Sequence, residues 1–182
     1  ADFDKAIADF SRSIQLNPNV AGAYSYRGNA YAYLAEHENA LADLSKAIAL
    51  EPKNSDAYAT RGRVYVFMNE TERGLADIQR ALELNPNSIN ALLGRGAAYT
   101  SQGALDRAIK DYNRVIELNP KDASAYNSRC ITYLIKDEPE RALPDCNRAI
   151  ELNPKLSAGY VGRGRFFANR KEFDKALADY SR

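Results

Sequence analysis

Residues 116–120 read Ile-Glu-Leu-Asn-Pro, and nearly the same phrase returns at a fixed interval along the chain. Its proline occurs at intervals of 34 residues, at Pro18, Pro52, Pro86, Pro120 and Pro154. This strict register indicates an internal repeat. We number the repeat so that the proline is position 32, which gives full repeats at 21–54, 55–88, 89–122 and 123–156, the second half of a repeat at 1–20 and a partial repeat at 157–182.

Each repeat contains two stretches in which apolar or small residues recur with helical spacing. In the first full repeat, Tyr24, Gly28 and Tyr31 follow one another at intervals of four and three residues, and Ala40 and Leu44 are four residues apart. This spacing predicts two amphipathic helices per repeat, which we call A and B. A helical hairpin of this size cannot bury both of its faces alone, so neighbouring hairpins are expected to stack into a solenoid.

The recurring residues resemble the pattern of the tetratricopeptide repeat family, which has aromatic residues at positions 4 and 11, a small residue at position 8 and alanine at position 20. Most repeats match, as with Tyr24, Gly28, Tyr31 and Ala40. The resemblance covers the whole chain. It implies an all-α fold, a right-handed superhelical solenoid of antiparallel helix-turn-helix repeats that forms a single array over residues 1–182. It also implies a scaffold for protein partners without identifying them.

Two charged positions are as regular as the apolar ones. Position 7, where the family usually has an apolar residue, is Arg27, Arg61, Arg95, Arg129 and Arg163, and position 23 is Asp9, Asp43, Asp77, Asp111, Asp145 and Asp179. An unpaired charge beside a core is costly, so each arginine needs a partner. We predict pairing within each repeat, such as Arg27 with Asp43, over the alternative of Asp43 with Arg61. We interpret this ladder as structural rather than as a site for phosphate or carboxylate.

The composition argues against several functional classes. The 25 Lys and Arg residues are balanced by 24 Asp and Glu residues, whereas a protein that mainly binds nucleic acid needs a surplus of positive charge. No apolar run approaches the roughly 20 residues of a membrane span. Phosphate-binding loops, dinucleotide fingerprints and HExxH motifs are absent, and His37 is predicted to be a surface residue of an A–B turn. We expect no enzyme, cofactor or metal, and a soluble protein for which the cytoplasm is favoured.

The fourth full repeat is the least regular. Cys130 and Cys146 occupy positions 8 and 24, so both should face the contact between helices A and B. We favour two small buried thiols; the alternative is a disulfide, which needs an oxidising compartment and suitable geometry. Pro139 lies near the predicted start of helix B, where proline is tolerated. Pro144, about a turn further on, is predicted to bend or restart the helix.

In the family, successive A helices line a concave groove, and exposed apolar side chains there suit a peptide or helix with apolar anchors. The candidate peptide-binding residues in this chain are Tyr26, Asn29, Tyr33, Arg63, Phe67, Leu93, Asn127, Ile131, Leu134 and Arg165, and the same positions also include Ile135 and Val161. Family members that hold the acidic C-termini of heat-shock chaperones use a pattern of Lys and Asn. Ser25 stands where the first Lys is expected, so that specificity is not predicted.

The two ends of the chain carry almost the same segment, since residues 3–12 and 173–182 differ at only two places, Ile7 against Leu177 and Phe10 against Tyr180. The first residue is Ala1, and we expect a piece excised from a longer array, ends that dock on other copies to give a homo-oligomer, or both. The leading hypothesis is a non-catalytic scaffold that binds a segment of a partner protein. The alternatives are a self-assembly module and the regulatory arm of a larger protein.

Overall fold

The computed structural model describes residues 2–182, and this part of the chain contains helices and no strand. The helices are α1 (Phe3–Leu16), α2 (Ala21–Tyr33), α3 (His37–Leu50), α4 (Ser55–Phe67), α5 (Thr71–Leu84), α6 (Ile89–Ser101), α7 (Leu105–Leu118), α8 (Ala123–Ile135), α9 (Pro139–Leu152), α10 (Ser157–Asn169) and α11 (Phe173–Tyr180). Even-numbered helices are the predicted A helices and odd-numbered ones the B helices. The prediction of an all-α helical repeat fold is confirmed, and the handedness of its superhelix stays a prediction.

The contacts divide the chain into two compact units, and the boundary along the chain falls within α6. Unit 1 runs to Arg95 and unit 2 begins at Gly96. The core of unit 1 contains Ala40, Leu44, Ala47, Ala57 and Val64, with Tyr24 and Tyr31 packed against it. The core of unit 2 contains Ile109, Cys130, Tyr133, Leu134, Ala142, Cys146 and Phe166. Each core therefore draws on the positions that carry the repeat pattern.

Helices A and B approach closely where a small residue at position 8 faces a larger one at position 24. A methyl group added to Gly28 would lie 2.8 Å from the Leu44 side chain, and one added to Gly96 would lie 2.6 Å from the Tyr112 ring. Real carbon atoms do not approach so closely without displacement. The contact between glycine at position 8 and a large side chain at position 24 thus sets the distance between the two helices of a hairpin.

Every A helix ends in the same turn. The residue at position 15 adopts a left-handed backbone conformation, with φ of 58° at Ala35 and 61° at Lys171. The next residue returns a hydrogen bond to the helix, as where the Glu36 N–H donates to the Tyr31 carbonyl at 2.9 Å. This Schellman-type ending satisfies carbonyl groups that the helix leaves without partners.

Helix α9 is continuous from Pro139 to Leu152, with Pro144 inside it. The prediction that Pro139 is tolerated near the start of helix B is confirmed. Pro144 does not restart the helix, because α9 runs without a break from Pro139 to Leu152, and the alternative of a bend stays a prediction. Pro144 lies on the exposed side of the helix, where water can bond the carbonyl that its missing N–H leaves open.

Candidate functional site

The predicted charge ladder is formed by pairs within each repeat. Arg129 donates from Nε to Asp145 Oδ2 at 2.6 Å and from Nη2 to Asp145 Oδ1 at 2.7 Å. The same two-pronged bond joins Arg27 to Asp43, Arg61 to Asp77 and Arg163 to Asp179. Pairing within the repeat is therefore confirmed for these four. The fifth pair, Arg95 with Asp111, stays a prediction.

Each of these arginines has a further partner that sequence reasoning missed. Arg129 Nη1 donates to Asn113 Oδ1 at 2.6 Å, and Arg61 Nη1 donates to Ser45 Oγ at 3.1 Å. Both acceptors lie at position 25 of the preceding B helix, as do Ser11 and Asn147, the acceptors for Arg27 and Arg163. Each guanidinium thus connects three successive helices. The available signal was the run of short polar residues at position 25.

This arrangement is suited to holding register and not to binding an anion. The hydrogen bonds with Asp145 raise the pKa of Arg129 above its ordinary value, although desolvation acts in the opposite direction. A shallow depression of about 610 Å³ lies beside this pair. The second arginine that lines it, Arg141, donates to Tyr133 Oη at 2.8 Å and pairs with Glu138 at 2.7 Å. Both cations are therefore already neutralised by side chains of unit 2.

Three of the predicted groove residues in unit 1 are exposed aromatics, with Tyr26 63%, Tyr33 64% and Phe67 71% exposed. Each of the three rings lies against a ring of a B helix. The Tyr26 ring stacks on Phe10 with centroids 5.4 Å apart, and the Tyr33 ring stacks on Phe3 at 5.1 Å. The opposite faces remain available to a partner.

The ring of Phe67 lies 4.9 Å from that of His37, measured between centroids. His37 is the first residue of α3 and is half-buried, with an enclosed Nδ1 that bonds to no described residue. The prediction that His37 is a surface residue of the A–B turn is wrong, because the residue belongs to α3 and is half-buried. Helix α3 begins at His37, and the neighbouring repeat supplies the ring of Phe67 beside the imidazole.

The polar residues of the same surface satisfy one another. Arg63 donates to Asn90 Oδ1, and Asn90 Nδ2 donates to Thr60 Oγ1 at 3.0 Å. Arg63 is exposed, while Asn29 and Leu93 are half-buried. Unit 1 therefore brings together exposed rings and a polar network that already has its partners.

The predicted residues of unit 2 are placed differently. Leu134 belongs to the core cluster and is not a groove residue, because the packing of α8 turns it inward. Ile131 is half-buried, and Arg165 is exposed and forms no ion pair or hydrogen bond with residues 2–182. Two further A-helix residues, Ile135 at 47% and Val161 at 46%, are among the exposed large apolar side chains.

Asn127 is only 9% exposed, and its Oδ1 is enclosed without a hydrogen-bond partner in the described part of the chain. The oxygen faces Gly162 of α10, where an added methyl group would lie 3.4 Å from it. An enclosed polar atom without a partner costs about 1–3 kcal/mol. Such atoms are rare in folded proteins, and this one lies on the surface that the sequence identifies as the groove.

Cys130 and Cys146 are joined in a disulfide, with Cα atoms 5.4 Å apart. Both residues are fully buried, as predicted. The prediction of two free thiols, which we favour from the sequence, is therefore wrong, and the alternative of a disulfide is the one that the structure contains. The bond ties α8 to α9 at the contact where other repeats pair glycine with a large side chain.

Some kinds of site are not represented in the described residues. Among residues 2–182 no group of three or more His, Cys, Asp and Glu side chains could hold a metal ion. In the same part of the chain no helix has both the length and the apolar character to cross a membrane.

Comparison with known families and structures agrees with the repeat pattern. Family models described as "Tetratricopeptide repeat" match residues 21–54, 55–88, 89–122 and 123–156. A search of curated proteins found no match. A tetratricopeptide repeat protein from Parabacteroides merdae is 23% identical, with 98% of this chain and 70% of that chain covered and a TM-score of 0.80, which shows a shared fold.

Two other solved structures are more similar in sequence. YrrB, described as a TPR protein with an unusual peptide-binding site, is 28% identical, with 89% of this chain and 84% of that chain covered and a TM-score of 0.63. MamA is 27% identical, with 85% and 90% covered and a TM-score of 0.65. The likeness therefore extends over most of each molecule.

Proposed function

The chain belongs to the tetratricopeptide repeat family, and we propose that it is a non-catalytic scaffold whose A-helix surfaces bind a peptide or helix of a partner protein. The observation that supports this proposal is the exposure of large apolar side chains on A helices, above all Tyr26, Tyr33 and Phe67. Exposed apolar patches on soluble proteins commonly mark interaction sites. The peptide-binding site in the description of YrrB supports the same function.

The rings of unit 1 are suited to apolar anchors of a bound segment. Tyr33 and Phe67 occupy position 13 of consecutive repeats, so the two rings recur at the same level of neighbouring A helices. Because Tyr33 stacks on Phe3 and Phe67 lies against His37, each ring loses little side-chain freedom when a partner covers its exposed side. A bound segment would therefore gain apolar contact area at a low entropic cost.

The test is a selection of binding peptides from a random library on the immobilised chain, followed by affinity measurements with variants. We expect Tyr33→Ala with Phe67→Ala, combined with Val161→Asp in unit 2, to weaken binding of the selected peptides at least tenfold. Arg80→Ala with Arg148→Ala is the matched control, because both arginines are exposed on B helices. Unchanged affinity in the groove variant, with an unchanged circular dichroism spectrum, would contradict the proposal.

Self-association is a second candidate, and the matching segments α1 and α11 favour it. Helix α11 is held on α10 by the pair of Arg163 with Asp179. Helix α1 carries nearly the same sequence but has no buried residue, and Asp9, the counterpart of Asp179, is exposed and has no partner within residues 2–182. In such an assembly α1 of one copy would replace α11 on α10 of another, with Asp9 taking the place of Asp179 as the partner of Arg163.

Sedimentation equilibrium over a range of concentrations tests this second candidate. Association should rise with concentration and should be lost in Asp9→Lys, since the reversed charge would repel Arg163. Asp4→Lys, an exposed charge reversal on the same helix, should leave association intact. A strict monomer at high concentration would exclude assembly through α1.

A further inference from the structure

We propose that Tyr33 and Phe67 bind a proline-rich segment of a partner protein in the polyproline II conformation, with prolines three residues apart packing on the two rings. The inference rests on the proposed function and deepens it, because it names the conformation and the chemistry of the partner at the aromatic surface of unit 1. The partner that it specifies is an extended chain and not an amphipathic helix.

The two rings lie beside the same A–B turn. Tyr33 is the last residue of α2 and Phe67 the last residue of α4, and these two helices are in contact. His37 follows Tyr33 by four residues and its ring lies 4.9 Å from that of Phe67, measured between centroids. The rings of Tyr33 and Phe67 are 64% and 71% exposed, so both are open to a ligand that crosses the ends of these A helices.

The spacing of neighbouring A helices matches the pitch of a polyproline II segment. Such a segment has about three residues per turn and rises about 3.1 Å per residue, so every third side chain returns to the same side after about 9.3 Å. Packed helices have axes about 8–10 Å apart. Prolines three residues apart therefore meet the ring of Tyr33 and the ring of Phe67 in turn.

The hydroxyl of Tyr33 favours an extended chain over a helix. It makes no hydrogen bond with any residue of 2–182. In a polyproline II segment the backbone has no internal hydrogen bonds, so each carbonyl group can accept one from a binding site. In an α-helix the carbonyl groups are already bonded within the helix. A polyproline II segment therefore gives Tyr33 Oη an acceptor that a helix lacks.

Both partners of this contact are ordered before they meet. Tyr33 stacks on Phe3 with centroids 5.1 Å apart, and Phe67 lies against His37. Proline fixes its own backbone angle, so the segment also loses little conformational freedom on binding. Proline has no N–H to leave unpaired when it packs on an aromatic ring, and aromatic-lined surfaces recognise proline-rich segments in this way.

The charged groups near the rings favour an uncharged ligand. Within four residues of either ring in sequence, the charged side chains are Glu36, Arg63 and Glu70. Glu36 accepts a hydrogen bond from Asn39, Arg63 donates to Asn90, and Glu70 pairs with Arg73. Because each of these charges already has a partner, a charged ligand gains little here and apolar contact decides the affinity.

The experiment measures fluorescence anisotropy of short labelled peptides on the complete chain. The first peptide carries pairs of prolines three residues apart among alanine and glutamine. The second has the same composition with the prolines two residues apart, and the third has leucine in place of every proline and forms a helix. The wild type should bind the first peptide at least tenfold more tightly than the other two. High salt should leave this affinity unchanged, because no ion pair forms.

Variants of the two rings provide the second arm. Tyr33→Ala and Phe67→Ala should each weaken binding of the first peptide at least tenfold. Tyr33→Phe keeps the stacked ring and removes only the hydroxyl, so we expect a loss of about two- to tenfold with an unchanged unfolding temperature. Leu16→Ala is the matched control, because it shortens an exposed apolar side chain of unit 1 on a B helix. It should bind as the wild type does.

The outcomes separate this inference from the proposed function. If peptides selected from the random library bind the chain but the first peptide binds no better than the second or third, the polyproline site is refuted while the scaffold function stands. Full affinity in Tyr33→Ala and Phe67→Ala would also refute it. If the chain instead forms a dimer that Phe67→Ala abolishes, a second copy covers the rings and the assignment is overturned.

Discussion

Repeats 2 and 4 bring their two helices together by different means. In repeat 2, α4 and α5 meet at Gly62 and Gly74, where a methyl group on Gly62 would lie 2.7 Å from the Gly74 carbonyl oxygen. In repeat 4, the same position 8 is Cys130, and a disulfide to Cys146 ties α8 to α9. Two helices can thus be held close together either by glycines, which have no side chain, or by a covalent bond between two side chains.

The A-helix surfaces of the two units differ in a similar way. In unit 1 the polar residues Arg63, Asn90 and Thr60 bond to one another, and the exposed groups are aromatic rings. In unit 2 Asn127 and Arg165 have no partner among the described residues. The repeat pattern leaves these positions variable, so one scaffold presents two surfaces with different chemistry.

The ladder is common to both hairpins, and its loss should have the largest effect on stability. We expect Asp77→Ala and Asp145→Ala each to lower the free energy of unfolding by about 3–5 kcal/mol, because each leaves a largely buried arginine without its counter-charge. The measurement is urea denaturation followed by circular dichroism. Asp9→Ala, the same position without a partner, should change stability by less than about 0.5 kcal/mol. A similar loss in all three variants would show that the pairing is not the cause.

Loss of the disulfide, which repeat 4 has and repeat 2 lacks, should have the second-largest effect on stability. It closes a loop of 16 residues, for which the entropic contribution to stability is about 3 kcal/mol. Reduction with dithiothreitol should therefore lower the urea midpoint of the wild type. Cys130→Ala with Cys146→Ala should start lower and not respond to the reductant. If dithiothreitol left the urea midpoint of the wild type unchanged as well, the prediction that the disulfide stabilises the fold would be contradicted.

The glycine contact of repeat 2 should respond more modestly. Gly62→Ala should destabilise by about 1–3 kcal/mol, because the new methyl group would push against the backbone of α5. Gly22→Ala is the matched change in a helix with free space, since the nearest atom would be 3.8 Å away. There we expect a gain of up to about 1 kcal/mol from helix propensity. Thermal unfolding of both variants decides whether close approach or propensity dominates.

The smallest effect is expected in the A–B turns. Ala35 has a φ of 58°, a conformation that strains any residue with a side chain. Ala35→Gly should raise stability by about 0.5 kcal/mol, the relief of strain being partly offset by the greater freedom of glycine in the unfolded chain. Asn69→Gly should gain less, because asparagine tolerates this conformation. Equal gains at the two positions would indicate that side-chain strain is unimportant.

Much of the fold could be predicted from the sequence, because its decisive interactions are local or repeat at a fixed interval. Helical spacing within 34 residues predicts α2 and α3, and recurrence predicts their copies. The pairing of Arg27 with Asp43 also follows, since charges that recur together must satisfy one another near a core. Tyr26 and Phe67, which the sequence predicts to be groove residues, are exposed, and their role in binding stays a prediction.

The tertiary structure decided what depends on the neighbouring helix. It turned Leu134 into the core, bonded Cys130 to Cys146 and bonded Arg129 to Asn113 of the preceding helix. It also enclosed Asn127 against Gly162 without a partner for its oxygen. Periodicity identifies the face of a helix on which a residue lies. How deeply that residue is buried, and which atoms it meets, depends on side chains that another helix brings within a few ångströms.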